Sequence, residues 1–216
     1  FKKYRRKNRI YIENIVLFFL GAGCFFISQP LLRIPILNVL NQNFKYNQLA
    51  FLYPLFINGM VIFTSGLFEE GFRFLFRNFL LRDENTEKKG LISFSNRFSN
   101  AIFFGLGHGL CEVGFLATMI IGHNVSKENL MFIIVERTIA VVFHICLTVI
   151  VFKGFILNKK YLYTIIAIFL HSGFNYLIMF SQSLGVINLY IIWAIFDIIL
   201  LVYVLKSKKV FKEWNL

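Results

Sequence analysis

Long apolar stretches separated by short polar connections dominate the sequence. A helix needs about 20 apolar residues to cross the hydrocarbon core of a bilayer. Stretches of this length occupy roughly residues 10–32, 49–72, 98–121, 129–152, 161–180 and 187–205. They are too long and too uniformly apolar for barrel strands, and a helix satisfies its backbone hydrogen bonds internally. The pattern therefore predicts an all-α fold, a polytopic membrane helix bundle with about six transmembrane helices in a single integral membrane domain over residues 1–216.

Composition supports a membrane protein and argues against a nucleic-acid partner. The chain is 57% hydrophobic and only 16% charged, with a mean hydropathy of +0.67, whereas soluble domains carry about 25% charged residues. The net charge of +12 comes from basic residues between the apolar stretches. Membrane topology explains that distribution better than a nucleic-acid surface does.

Lysine and arginine are concentrated in alternate connections. Segments 1–9, 73–97 and 153–160 and the tail from Lys206 carry most of them, and the intervening connections carry few. The positive-inside rule places these basic segments in the cytoplasm. We therefore expect a multi-pass protein of the cell membrane with both ends of the chain in the cytoplasm.

The first apolar stretch follows a basic segment, as in a secretory signal peptide. It contains Glu13 and continues well beyond the length of a signal peptide, which favours a retained membrane helix. The prolines Pro30 and Pro54 lie near the ends of the first two predicted helices, where proline disturbs a helix least. The cysteines Cys24, Cys111 and Cys146 show no metal or disulfide spacing and are expected to be packing residues.

Ionisable side chains interrupt several of the apolar stretches. A charged group inside a bilayer costs several kcal/mol, so such residues are functional candidates. At 1.5 Å per helical residue, most of them fall at one depth in the cytoplasmic half of the membrane. The ionisable candidates are Glu69, Glu70, Arg73, His108, Glu112, His144 and His171, and the polar amide of Asn175 is added to them.

Helical spacing indicates which of these groups share a face. Residues four apart lie on one side of a helix, so Glu69 is expected to pair with Arg73. The same spacing relates His108 to Glu112 and His171 to Asn175. We therefore expect each pair to present two polar groups to a single cavity between the helices.

Other polar residues are expected to have lesser roles. His144 shares a stripe with Glu136 and, with Glu112 and Arg73, is expected to support the site. Glu136 lies nearer the outer side, and we interpret it with Arg137 as a structural ion pair. His123 in a connection and Asp197 in the last span are left out of the predicted site.

The cluster suits hydrolysis of a peptide bond. This reaction needs an activated water, donors for the developing oxyanion and a proton for the leaving amine. Glu69 and Glu70 supply carboxylates, His108 a group to orient water or carry a proton, and His171 with Asn175 oxyanion donors. Zn²⁺ held by Glu69, His108 and His171 is an alternative, but the chain has no HExxH motif. We therefore predict that no cofactor is required.

The ordered motifs resemble a known group of membrane enzymes. Glu69-Glu70 followed by arginine, Phe104-xxx-His108 and His171-xxx-Asn175 are similar to the motifs of the CPBP superfamily of CAAX-protease and bacteriocin-processing enzymes. The sequence Gly105-Leu106-Gly107-His108-Gly109-x-x-Glu112 and Glu136-Arg137 with His144 are closer to the YhfC-like branch.

This resemblance implies an intramembrane endopeptidase of the glutamate type, with about six transmembrane helices around a polar, cytoplasm-facing cavity. It implies that Glu69 and His108 activate water, that His171 and Asn175 stabilise the oxyanion, and that the substrate is a membrane-associated peptide or protein. Two residues, rather than the three typical of CAAX proteases, separate Glu70 from Arg73. The role of Arg73 and a prenylated substrate are therefore not carried over.

Two other functions use the same residues. A proton- or ion-coupled transporter would use the carboxylates and histidines as a relay, but no repeated pair of broken helices is evident. A haem protein would use histidines from different helices as axial ligands, which leaves the glutamates without a role. We therefore rank proteolysis first and transport second.

Overall fold

The computed structural model describes residues 2–83, 92–94, 96–121 and 126–211. Most of these residues are helical. In chain order, the elements are α1 (Lys2–Phe26), a π-helical stretch (Ile27–Arg33), α2 (Ile34–Asn41), α3 (Phe44–Leu52), α4 (Pro54–Leu75), a second π-helical stretch (Phe76–Leu80), β1 (Leu81–Asp83), β2 (Ile92–Phe94), α5 (Phe98–Ile120), α6 (Lys127–Ile156), α7 (Lys160–Tyr176), a 3₁₀ turn (Leu177–Phe180), α8 (Ser181–Leu184), α9 (Val186–Ser207) and a 3₁₀ turn (Lys208–Val210). The predicted connection at 84–90 and His123 lie outside the described residues.

The helices confirm the predicted class of fold. By length and composition, five helical segments of the described chain are able to cross a membrane. The pair formed by Phe44–Leu52 and Pro54–Leu80 makes a sixth if it is counted as one span. The protein is therefore an integral, multi-pass membrane protein with a helical bundle.

The second predicted span, 49–72, is not one straight helix. The two parts of the pair are bent by 115°, and Tyr53 between them has φ −131° and ψ 60°. The bend arises because Pro54 disfavours a helical conformation at the residue before it. As predicted, Pro54 lies at a helix end, and the helix then continues to Leu80.

The first predicted span ends later than expected. Pro30 lies inside a π-helical stretch instead of ending the helix, and the helical segment continues to Asn41. Proline has no N–H and clashes with the carbonyl four residues earlier. The wider π-helical turn accommodates it, and such turns are frequent at functional sites.

The strands β1 and β2 form a short parallel pair, with Leu81 opposite Ile92. Arg77, at the end of the helix before β1, donates from Nη2 to Asn96 Oδ1 at 2.8 Å. Its guanidinium also lies 4.7 Å from the ring centroid of Phe94 in β2. The β1–β2 pair lies at the end of the bundle that carries the basic segments. We call this end of the bundle the basic end.

Helix α6 lies at the centre of the bundle and packs against α5, α7 and α9. Its Phe143 stacks on Phe174 of α7, with ring centroids 4.1 Å apart. Trp193 of α9 donates to the backbone carbonyl of Phe174 at 2.9 Å. These contacts hold α6 against α7 at Phe143, which directly precedes His144.

Cys24 and Cys146 are buried, and all three cysteines are free.

Glycines bring α1 and α5 into backbone contact. A Cβ atom built on Gly107 would lie 1.9 Å from the carbonyl oxygen of Phe18, and one on Gly21 would lie 1.9 Å from that of Phe104. No side chain fits at either position unless the helices move apart. The contact sets the position of His108, which follows Gly107 in α5.

We expect Gly107→Ala to destabilise the protein by about 1–3 kcal/mol, the usual cost of overpacking. Gly114→Ala is the matched control in the same helix, because its added Cβ meets nothing within 4 Å and alanine favours helix. Thermal unfolding in detergent measures both variants. Equal unfolding temperatures for the two variants would contradict the close α1–α5 contact.

Candidate functional site

Glu69, near the end of α4, lies at the centre of a buried polar cluster. Only 4% of its surface is exposed. Its Oε2 atom is 2.9 Å from Nε2 of His108 in α5, and its Oε1 atom accepts a hydrogen bond of 2.6 Å from Gln29 Nε2 in the first π-helical stretch. Three helical segments thus fix the orientation of one carboxylate.

Two further histidines face Glu69, and each forms a hydrogen bond with a carboxylate through its nitrogen on the side away from Glu69. His144 Nε2 is 2.6 Å from Glu112 Oε2, and His171 Nδ1 is 2.9 Å from Glu70 Oε1. An ionised carboxylate can only accept hydrogen bonds, so each of these nitrogens donates. The opposite nitrogens point to Glu69, with His144 Nδ1 3.9 Å from Oε2 and His171 Nε2 3.8 Å from Oε1.

In the neutral tautomer with its proton on the outer nitrogen, each histidine would present a lone pair on the nitrogen that faces Glu69. Arg73 Nη2 lies 3.4 Å from His144 Nδ1, which agrees with an unprotonated acceptor there. In metal sites, a ligating histidine usually donates its other ring N–H to a carboxylate, a backbone carbonyl or water, which fixes the orientation of the ring.

Arg73 pairs with Glu70 rather than with Glu69, so the predicted Glu69–Arg73 pair is wrong. Successive helical residues point about 100° apart. Glu69 therefore faces α5 and α6, whereas Glu70 faces Arg73 one turn later and His171 of α7. Both side chains of the Glu70–Arg73 pair are fully buried.

Glu69, His144 and His171 form a group with the composition of a metal site. One donor atom from each residue lies within 4.8 Å of the others, and all three residues are buried. Zn²⁺ takes carboxylate oxygens and imidazole nitrogens in such sets of three. This donor set fits a divalent ion. The predicted alternative set differed, because it contained His108 in place of His144.

Charged residues extend the cluster away from the basic end. Arg137 donates from Nη1 to Glu112 Oε1 at 2.8 Å and also pairs with Glu136. The predicted Glu136–Arg137 ion pair is therefore confirmed. Glu112 connects this pair to His144, so Arg137 also holds the carboxylate that orients the histidine.

A cavity of about 270 Å³ lies beside the cluster. Its lining includes His144 and His171 together with Glu112, Asn175 and Ile178. The last three lie on the halves of their helices directed away from the basic end, towards Ile121 and Leu184. This cavity therefore lies on the side of the cluster away from the basic end, and an opening to the cytoplasm stays a prediction.

The structure thus brings the predicted site residues together, and Asn175 lies at the edge of the cluster. Asn175 contacts Ser65 Oγ through Nδ2 at 3.4 Å and lines the cavity without reaching Glu69. Asp197, which we left out, is buried in α9, and neither of its carboxylate oxygens has a hydrogen-bond partner among the described residues.

Sequence reasoning missed Gln29 and Arg33. Arg33 donates from Nη1 to Gln29 Oε1 at 3.0 Å and from Nη2 to the Val61 carbonyl at 2.7 Å, which fixes the amide that donates to Glu69. The sequence feature that could have identified Gln29 is the polar interruption Ser28-Gln29-Pro30 within the first apolar stretch.

The fold and cluster define a class: a polytopic membrane protein with a buried glutamate–histidine site. The model of the YhfC intramembrane metalloprotease family matches residues 1–124 and 120–200, and the chain belongs to that family. No curated protein and no solved structure is significantly similar to the chain.

Proposed function

We propose that the protein is an intramembrane metalloprotease that hydrolyses a peptide bond of a membrane-associated peptide or protein. A divalent cation, Zn²⁺ by its donor preferences, is held by Glu69, His144 and His171. The observation that carries the proposal is the pair of carboxylates behind the two histidines. That arrangement directs two lone pairs and one carboxylate to a common point.

The metal would supply Lewis acidity, which polarises a carbonyl group and makes water a better nucleophile. The chain supplies the orientation. Glu112 and Glu70 hold the two histidines in the ligating tautomer, and Gln29 fixes one oxygen of Glu69. These contacts lie in a buried, low-dielectric site, where electrostatic interactions are stronger than in water.

Glu69 and His108 are placed to handle the proton. Hydrolysis forms a bond from the water oxygen to the carbonyl carbon, breaks the C–N bond and moves one proton to the amine nitrogen. Glu69 Oε2, which accepts a hydrogen bond from His108 Nε2, takes that proton from the water and returns it, while His108 holds the carboxylate in position. Asn175, in the cavity wall, donates from its amide to the substrate carbonyl.

The wider assignment follows from sequence and family together. We infer that the YhfC-like chain is related to the CPBP superfamily through its motifs at Glu69, His108 and His171. The basic segments support a cell-membrane location with the basic end in the cytoplasm. His108 lies about 15 Å along α5 from Phe98, which supports a catalytic cluster near mid-membrane, slightly towards that end. One integral domain, 1–216, carries the whole site.

A metal-free mechanism of the glutamate type is the competing interpretation. Glu69 would then act directly as general base beside His108, with His171 and Asn175 as the oxyanion donors. This version leaves unexplained why the His144 and His171 nitrogens converge on Glu69. The metal-free mechanism predicts that removal of metal leaves the cleavage rate unchanged, whereas the metalloprotease mechanism predicts that the rate falls.

The test is cleavage of membrane-tethered reporter peptides by protein reconstituted in liposomes. Treatment with 1,10-phenanthroline is expected to lower the rate at least tenfold, and stoichiometric Zn²⁺ is expected to restore it. The non-chelating 1,7-phenanthroline is the control. Undiminished cleavage by metal-free protein would favour the glutamate-type mechanism, and absence of cleavage by any loaded preparation would overturn the proposed activity.

A further inference from the structure

Helices α5 and α6 diverge from a tight contact near the site. A Cβ atom on Gly105 would lie 2.6 Å from Ile145 Cα, and one on Gly109 would lie 3.1 Å from Val141 Cα. Beyond this contact the two helices enclose a groove of about 610 Å³ that continues to Ile121 and Leu130. We call it the α5–α6 groove.

The groove is apolar and accessible from the lipid side. Leu110 is 44% exposed and Ile134 53% exposed. Of the described residues that line the groove, only Arg137 and Thr138 have polar side chains. Its volume lies in the range of about 300–1,000 Å³ that is typical of binding pockets, so it accommodates a segment of several apolar side chains.

Arg137 joins the α5–α6 groove to the candidate site. It lines both the groove and the cavity that contains His144 and His171. Its bonds to Glu136 and Glu112 use Nε, one Nη1 hydrogen and one Nη2 hydrogen. A guanidinium has five N–H donors, so donors remain for carbonyl oxygens at the inner end of the groove.

We propose that the α5–α6 groove binds an apolar segment of the peptide substrate, next to the bond that is cleaved; this inference rests on the proposed protease activity. An extended or unwound peptide offers apolar side chains to the groove and backbone carbonyls to Arg137. A lipid acyl chain has no acceptor for Arg137. The substrate class is therefore a peptide with an apolar, membrane-embedded stretch that enters from the bilayer between α5 and α6.

Binding is tested first, without any need for cleavage. The photo-crosslinking residue p-benzoylphenylalanine is placed at Ala117 in the groove and, as control, at Met119, which is 53% exposed and lies on another face of α5. The probe is a labelled, lysine-flanked leucine–alanine peptide of about 20 apolar residues in phosphatidylcholine liposomes. We expect at least tenfold more adduct at position 117. Equal labelling at both positions, or adducts with lipid alone, would overturn the proposal.

The effect on catalysis is tested with Ala117→Trp, which fills the groove, and Met119→Trp as control. For a tethered reporter peptide, Ala117→Trp is expected to raise KM at least tenfold with little change in kcat. A short soluble peptide with the same cleaved sequence should show no difference between the variants. Unchanged KM for the tethered peptide contradicts the groove. If wild-type protein cleaves neither peptide, the protease activity fails, and the crosslinking result still decides the groove.

Discussion

Replacement of Glu69 by glutamine is expected to reduce peptide hydrolysis by about 10²–10⁴-fold, the range for loss of a general acid–base group. The amide keeps the size of the side chain and its hydrogen bond with His108, but it removes the negative charge and the acceptor for a proton. Because Glu69 is the residue on which Gln29 and all three site histidines converge, no neighbour replaces it. The rate is measured with tethered reporter peptides in liposomes.

The matched control is Glu128→Gln, in the exposed first turn of α6. It makes the same chemical change far from the cluster and is expected to keep wild-type activity. Thermal unfolding and zinc content are measured for both variants, so that a change in the chemical step is separated from loss of fold and from loss of metal. Full activity in Glu69→Gln would exclude Glu69 from the reaction under either mechanism.

Replacement of Arg73 by methionine is expected to destabilise the protein by about 3–5 kcal/mol, the usual result of removing one partner of a buried ion pair. Arg73 and Glu70 are both fully buried. Without the guanidinium, Glu70 keeps only His171 as a hydrogen-bond partner among the described residues. Thermal unfolding in detergent measures the loss.

A second variant separates loss of the pair from loss of packing. Glu70→Gln/Arg73→Met removes both charges and is expected to recover at least about 1 kcal/mol of the lost stability, because no unpaired charge remains. Arg9→Met is the surface control. The Arg9 side chain is 56% exposed and pairs with Glu13, and exposed ion pairs contribute about 0–1 kcal/mol to stability. A single variant as stable as the surface control would show that the Glu70–Arg73 pair is not a buried structural element.

Much of the fold follows from the hydrophobic pattern, since membrane helices need only length and apolarity. The positions of helix breaks do not. Pro54 lies at the start of α4, a helix end as expected, whereas Pro30 is accommodated by a π-helical stretch that has no simple sequence signature. The same stretch directs Gln29 to Glu69, so an unpredicted backbone irregularity concealed a residue of the cluster.

Depth within the membrane could also be predicted, but rotation about each helix axis could not. Counting residues placed Glu69, His108, His144 and His171 at one level, and the structure brings all four together. Which two histidines face Glu69 with carboxylates behind them depends on contacts between helices, such as the α1–α5 glycine contact. For that reason the sequence suggested His108 as a metal ligand where the structure presents His144.

The most direct test of the account is the zinc content of purified wild-type protein beside His144→Ala, His171→Ala and His108→Ala. We expect about one zinc per chain in the wild type, loss of zinc in the first two variants, and retention in His108→Ala, because His108 contacts Glu69 without belonging to the group of three donors. Zinc retained in His144→Ala and lost in His108→Ala, or a wild-type protein that binds no zinc at saturating concentration, would contradict the proposed metal site.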